Sequence, residues 1–487
     1  MSKIFIAKKT NNPAIFMSLI ILDPLRQKLL LIAVGLAVFM DALDGSVVNI
    51  ALPVIAEDFG TDTGTISWVS VAYLLVIAGT ILIFGKLSDR GYVKIIFIAG
   101  FILFTIGSVF CGLSPDLTIL IISRIFQGIG AAMIAASATM LCVKYLPAKM
   151  LGVSMGVMTA ASSIGFALGP AVGGIITHLL SWHWIFFINI PIGIFAILFA
   201  LRIIPHVSIP KRSPFDIRGA AALFCLMVSG VFALERLPHL GLTDPLIISA
   251  LCICLVSLVV FIRTELKSSH PVLNIRIFKN RKLTFVATAF LISQMTCAGL
   301  LYLLPFYLSI GMQFDPAISG LMLFIPPAVT AALSIPLGHW SDMTGRRGFV
   351  IAAFVCLAAT NLIYTFIIPE WGILPLVASL VLMGMIWGIG GGAASSRIVE
   401  HMPEGEEGTG SSLMITTLYL GVVVGIALYA AVFTALTSDA GFILSFADLD
   451  QSVFMYGFHI TNAIGIFIAA AALILSFVVK DPAKKKS

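Results

Sequence analysis

Two carboxylates stand where this chain offers them least water. Asp41 and Asp44 lie inside an apolar run that begins near Leu29 and is long enough to cross a bilayer. A charged carboxylate near the centre of a membrane helix costs about 3 kcal/mol on insertion scales, so an acid kept there is read first as functional. Three residues apart, the two acids share one helix face. Asp44 is about ten residues, or about 15 Å, below the outer end of its run. Arg124 is about seven residues, or about 11 Å, below the outer end of the fourth run. Arginine keeps its charge and needs a counter-ion at that depth. The pair can be a fixed lock between two helices or a working proton site. A dry carboxyl holds its proton, and one that wets or meets a cation gives it up. Asp41, one turn nearer the inner face, can be a second proton site, a counter-ion for a substrate, or an acid in an inner vestibule.

The rest of the chain is built to hold such a face. Of 487 residues, 59% are apolar and 11% charged, where a soluble protein carries about a quarter charged residues. The balance is that of a polytopic membrane protein. Apolar runs of spanning length begin near Leu29, Ile66, Ile95, Leu117, Gly152, Trp184, Gly219, Pro245, Leu283, Ala317, Phe349, Gly372, Gly410 and Gly457, which predicts fourteen transmembrane helices. Residues 14–22 are too short to span and read as an interfacial segment of a cytoplasmic tail.

With the N-terminus inside, only Arg124 and Arg236 of the 29 Lys and Arg fall away from the cytoplasmic side, and Arg397 falls in an inner loop. The outer segments are acidic or neutral: Glu57 to Asp62, Asp116, Asp315, Glu370 and Asp439 to Asp450. This is the positive-inside pattern, and one miscounted helix would spoil it. It places both termini in the cytoplasm and accounts for the net charge of +6 without nucleic acid. The seven cysteines lie in or beside apolar segments and are expected to be free thiols.

A loop repeats. Gly85-Lys86-Leu87-Ser88-Asp89-Arg90 follows the second run, and Gly338-His339-Trp340-Ser341-Asp342 follows the tenth, leading to Gly345-Arg346-Arg347. A loop that recurs eight spans later implies two related halves. If each half has six helices, two accessory helices lie between them. The expected division is a tail 1–27, an N-terminal bundle 28–204, accessory helices 216–266, a C-terminal bundle 283–480 and a basic tail 481–487.

Several stretches carry a family likeness. Leu43 to Pro53 (LDGSVVNIALP) sits in the first span, and Trp68 and Tyr73 in the second. Arg124 with Gln127-Gly128-Ile129-Gly130 lies in the fourth, Gly165 to Gly174 (GFALGPAVGG) in the fifth, and Trp182 to Pro191 (WHWIFFINIP) opens the sixth. In this order the chain resembles the major facilitator superfamily, specifically its fourteen-helix drug:proton antiporter branch. The resemblance implies a 6 + 2 + 6 all-α fold in the cell membrane. It implies proton-driven export of amphipathic, cationic compounds by alternating access, with the proton as coupling ion and no other cofactor. It implies Asp44, Asp41 and Arg124 as the proton-coupling set, and Asn49, Gln127 and Tyr73 as cavity residues. Gly85, Asp89, Arg90, Asp342 and Arg346 become a conformational latch. Gly165, Gly169, Pro170 and Gly173 become the hinge and seal of the antiporter motif, although a small-residue stripe can equally be plain helix packing. Met343 and His183 stand where the family carries arginine.

The expected partners are a small amphipathic substrate and membrane lipid, with no nucleic acid, and the protein is expected to be a monomer. The main alternative is the same fold carrying one specific metabolite or lipid. A membrane-embedded enzyme would need a catalytic cluster such as paired His or His/Asp at helical spacing, and the sequence has none: His178, His183, His401 and His459 are scattered. Glu235-Arg236, at the outer end of the seventh run, reads as an ion pair or a water-facing couple.

Overall fold

Each long apolar run closes its own backbone hydrogen bonds, the only economical solution for an unbroken segment in lipid. In a computed structural model the described residues, 21, 23–88, 92–147, 150–204, 216–268, 271, 275–402, 407–438 and 449–479, are helical apart from short turns. The α-helices are α1 (Pro24–Asp58), α2 (Thr63–Ile66), α3 (Trp68–Leu87), α4 (Val93–Gly112), α5 (Leu117–Tyr145), α6 (Leu151–Leu179), α7 (Trp184–Phe187), α8 (Asn189–Ile203), α9 (Ile217–Leu240), α10 (Pro245–Lys267), α11 (Arg281–Phe306), α12 (Pro316–Leu323), α13 (Ile325–Thr344), α14 (Arg346–Phe366), α15 (Ile373–Glu400), α16 (Glu407–Thr437) and α17 (Gln451–Val478). Three spans are broken in two: α2 with α3, α7 with α8, and α12 with α13. Among the described residues fourteen helices are long and apolar enough to cross a membrane, as the hydropathy count predicts.

The ends of these helices explain the acidic outer segments. Asp62, Asp116, Asp244 and Asp315 each accept a hydrogen bond from a backbone N–H in the first turn of the helix that follows, at 2.7–2.9 Å. These acids cap the second, fourth, eighth and tenth spans and complement the positive ends of their dipoles. All four lie at one end of the bundle, here called the acidic end; the Lys- and Arg-rich end is the basic end. Caps also explain where the sequence reading placed boundaries late. Helix α1 starts at Pro24 because Asp23 caps it through the Leu25 N–H. Helix α17 starts at Gln451 without a side-chain cap, and there the Gln451 amide ties the first turn to the Gly311 carbonyl at 2.6 Å. A polar first turn is invisible to hydropathy.

The packing repeats with the same offset of eight spans as the loop. In the first half α1 packs on α6, α4 on α5, α3 on α5 and α4 on α8; in the second, α11 packs on α16, α14 on α15, α13 on α15 and α14 on α17. Helices α9 and α10 pair with each other, and α9 also touches α3 of the first half and α16 of the second.

The halves meet through α6 with α12, α3 with α16, and α1 with α11. The closest of these contacts is at the acidic end. A methyl group at Gly174 would overlap the Pro316 carbonyl oxygen, and one at Gly320 would overlap that of Pro170. The two halves thus contribute matching Pro-x-x-x-Gly turns, and the missing side chains let backbone meet backbone. Nearby, the Tyr302 hydroxyl donates to the Thr63 carbonyl, and Thr434 lies against Gly64. Toward the basic end, Gly85, Gly156 and Gly338 face open space. The two halves are therefore in close contact at the acidic end.

Candidate functional site

Asp44 has no exposed surface, yet each of its oxygens is used. Oδ2 accepts from Arg124 Nη1 at 2.7 Å, while Oδ1 accepts from Gln127 Nε2 at 2.9 Å and from Asn189 Nδ2 at 2.7 Å. Arg124 and Gln127 come from one face of α5, three residues apart, and Asn189 is the first residue of α8. Arg124 is 1% exposed. Its Nε donates to the Val69 carbonyl at 2.9 Å, its Nη1 also reaches Gln127 Oε1 at 2.5 Å, and its guanidinium lies 3.9 Å from the Tyr73 ring centroid. Gln127 Nε2 further donates to Ser108 at 2.9 Å. The depth match between Asp44 and Arg124 is borne out as a direct ion pair. A pair this dry repays its desolvation only if the surrounding hydrogen bonds are also made, and here two neutral side chains, Gln127 and Asn189, and the Val69 carbonyl make them.

Glycines bring these helices close enough. A methyl at Gly128 would sit 2.8 Å from the Tyr73 carbonyl oxygen, so α5 can reach α3 only without one. Gly130 does the same against α4, where a methyl would sit 2.5 Å from Phe104 N. The Gly128-x-Gly130 pair is thus a packing device, as the lack of any phosphate-binding context indicates.

Tyr73 joins the two acids. Its ring lies under Arg124, and its hydroxyl donates to Asp41 Oδ1 at 2.8 Å. Asp41 is half-buried, and Tyr419 of α16, from the other half, lies within electrostatic range of it. Five of the six coupling and cavity residues inferred from sequence, Asp41, Asp44, Arg124, Gln127 and Tyr73, therefore form one continuous network. Asn49 does not join it: its Oδ1 accepts from Ser70 at 3.1 Å, and its amide reaches the Gly45 carbonyl. Tyr73→Phe keeps the ring under Arg124 and removes the donor to Asp41. It is expected to leave the melting temperature almost unchanged and to slow transport about tenfold, the rate equivalent of one hydrogen bond of about 1.4 kcal/mol to a charged group. Thermal melting and vesicle transport measured on one preparation check this.

Gly165, Gly169 and Gly173 pack on α1. A methyl at Gly165 would stand 2.5 Å from the Phe39 carbonyl oxygen, one at Gly169 would overlap Ser46 Oγ, and one at Gly173 would meet Val47 and Ile50 at 2.7 Å. Pro170 and Gly174, each one residue after a stripe glycine, face the other half instead. Of the latch residues, Asp89, Arg90 and the side chain of Asp342 lie outside the described residues. Gly85 borders open space, and Arg346 opens α14. His183 stacks on Trp182 with 3.7 Å between ring centroids, and its burial holds the imidazole below its ordinary value despite Asp58 nearby. At neutral pH it does not replace an arginine charge.

Two expectations need correction. Glu235 is neither paired with Arg236 nor exposed: it is 2% exposed and accepts from Ser67 at 2.7 Å, because α9 packs against α3. Arg397 is not in a loop. It lies in the last turn of α15, buried, with Nη2 on the Val479 carbonyl at 2.7 Å. Asn189 and Tyr419 were not singled out from the sequence. Asn189 carried a signal, a lone amide inside an apolar helix start; Tyr419 carried none. Away from the charge cluster, the second half holds a small cavity of about 20 Å³ between α11, α14 and α15, lined by Phe290, Gln294, Phe354 and Trp387 among others.

A fourteen-helix bundle of two matching halves, shut at one end around buried intramembrane charge, is the build of a secondary transporter. The chain belongs to the Major Facilitator Superfamily, whose family model matches residues 34–426. It is a multi-pass membrane protein and a transporter, not an enzyme; in a bacterium such a protein lies in the cell membrane. It is 32% identical to the riboflavin transporter RibZ of Clostridioides difficile (strain 630), over 84% of this chain and 89% of that one. It is 30% identical to a putative multidrug resistance protein, MdtD, of Klebsiella pneumoniae (strain 342), over 94% and 95% respectively. Among solved structures it is similar to a bacterial homologue of the human lysosomal transporter Spinster in an inward-facing, unoccupied conformation. That likeness has a TM-score of 0.65 and 14% identity, and covers 95% of this chain and 100% of the other. It is also similar to the nucleoside transporter NupG, with a TM-score of 0.63, 12% identity and coverage of 92% and 98%.

Proposed function

We propose that the protein is a proton-coupled antiporter that exports amphipathic, cationic compounds, with its basic end in the cytoplasm and its acidic end outside. The observation that carries this reading is Asp44, wholly buried yet held by Arg124, Gln127 and Asn189 and joined through Tyr73 to Asp41. Such a site can exist charged or neutral. When Asp44 takes a proton its ion pair is lost, and Arg124 keeps the Val69 carbonyl, Gln127 and the Tyr73 face. Asp41, beside the junction of the halves and one turn nearer the basic end than Asp44, is the group that a cation arriving from that end meets first. Proton and cation then compete for the same carboxylates, which is the exchange an antiporter requires. One proton for one monovalent cation moves no net charge; a second proton adds about 2.3 kcal/mol per 100 mV. The relative named as a multidrug resistance protein supports this substrate class.

The test uses inverted vesicles holding a pH gradient and a pH-sensitive dye, challenged with a panel of lipophilic cations. Proton release on adding a cation, absent in Asp44→Asn, is the expected result. Silence toward every cation removes the multidrug reading. A second reading, carriage of one metabolite, is favoured by the riboflavin transporter relative. Riboflavin fluorescence in the same vesicles decides it: uptake of riboflavin with no response to cations selects the metabolite carrier.

A further inference from the structure

The two accessory helices hold a carboxyl that the coupling site does not use. Glu235, on α9, is 2% exposed. Its Oε1 accepts from Ser67 Oγ at 2.7 Å, and its Oε2 has no hydrogen-bond partner among the described residues. No described lysine, arginine or histidine forms an ion pair with it, Arg236 beside it included. Its surroundings belong to three bodies. Ser67 is the break between α2 and α3 in the first half. Tyr302, on α11 of the second half, lies within electrostatic range of Glu235 and Asp62, and its hydroxyl donates to the Thr63 carbonyl. From α16 comes Thr434, against Gly64, whose hydroxyl is also without a partner among the described residues. Helix α9 is held there by Phe224 in the notch at Gly79 and by Phe232 against Trp68, 6.3 Å between centroids. The other ionisable groups facing the site are Asp62, Arg236 and His239, and His239 Nε2 lies 3.8 Å from Asp62 Oδ1.

We propose that Glu235 is a second proton-binding group, which carries a proton while the acidic end is shut and returns it to water at that same end when the end opens. The closed junction gives an anion no ion-pair partner among the described residues and leaves one oxygen bare, and a charge buried that way is penalised. The neutral acid fits the pocket as built. When the halves part at Ser67, Thr63 and Tyr302, water reaches the carboxyl and the anion is solvated. The proton comes from acidic-end water as the junction closes and goes back there as it opens, so none crosses the membrane on this residue. It is a gating proton, separate from any moved at Asp44, and it gives α9 a role: the accessory helix makes closure of the acidic end depend on the pH at that end.

The experiment measures hydrogen–deuterium exchange of the full chain in nanodiscs from mildly acidic to mildly alkaline buffer, corrected for the intrinsic pH-dependence of exchange. The segments read are 63–71 and 302–311. In wild type, opening should rise by about tenfold per pH unit above the transition, the slope for release of one proton. Glu235→Gln, a permanent stand-in for the neutral acid, should stay protected throughout. Asp44→Asn and His239→Gln should keep the wild-type pH-dependence, which separates this site from the coupling pair and from the Asp62–His239 contact. Ser67→Ala keeps the acid but removes its donor, so the midpoint should move even if Glu235→Gln fails to accumulate. Wild-type exchange that ignores pH, a slope that persists in Glu235→Gln, or an unmoved midpoint in Ser67→Ala would overturn the proposal. Failure of drug:proton exchange in the vesicle assay would not, since no substrate enters this measurement.

Discussion

Arg124→Ala is expected to abolish transport and to destabilise the protein by about 3–5 kcal/mol, the cost of stripping one partner from a buried pair. Asp44 is 0% exposed, and without Arg124 only the amides of Gln127 and Asn189 would face it. The carboxyl can escape by taking a proton, so the deficit should shrink as pH falls. Adding Asp44→Asn to Arg124→Ala removes the stranded charge while keeping an oxygen for those amides. Stability should then return to within about 1–2 kcal/mol of wild type, leaving a strongly non-additive double-mutant cycle. Transport should not return, because the position of the coupling carboxylate Asp44 can no longer titrate. Thermal melting across pH and vesicle transport of all four proteins give both readouts. If the double variant transports, the pair is only a brace between α1 and α5. If Arg124→Ala costs under about 1 kcal/mol, the site is wet and the buried-pair argument fails.

Much of this was legible from the sequence, for identifiable reasons. Spanning helices cannot hide, because lipid demands some twenty apolar residues in a row. The positions of Asp44 and Arg124 could be compared because helical rise converts residue counts into depth. Depth alone does not give partners. Asn189 reaches Asp44 only because the sixth span breaks between α7 and α8. Glu235 was misread for a related reason: hydropathy does not distinguish a helix face that meets lipid from one that meets protein, since both are apolar. Where α9 packs on α3, a residue taken for surface is buried. The glycine stripe shows the same limit: spacing put Gly165, Gly169 and Gly173 on one face, but not that α1 covers it while Pro170 and Gly174 turn toward the other half.

Gly320→Val is expected to fold and to transport about a hundredfold more slowly, whereas Gly169→Val is expected not to accumulate at all. Both add bulk where backbone and side chain already touch, but they act on different contacts. At Gly169 the new side chain would overlap Ser46 Oγ and stand 3.0 Å from Val47 N, inside the first half, where α6 lies along α1 in whatever state the transporter is in. The bundle has no conformation that relieves it. At Gly320 the new side chain would overlap the Pro170 carbonyl, a contact between halves that exists only while the acidic end is shut. Opening that end removes the clash. Overpacking costs about 1–3 kcal/mol, and the upper figure, charged to the closed state alone, shifts the balance of states by about a hundredfold. Gly174→Val should behave like Gly320→Val, because the two glycines face each other across matching Pro-x-x-x-Gly turns. Expression yield, melting temperature and transport rate of the three variants decide the matter. Three folded variants with wild-type rates would mean that the α6–α12 crossing is not part of the cycle. If Gly320→Val fails to fold, the crossing is permanent scaffold, and the acidic end must open somewhere else.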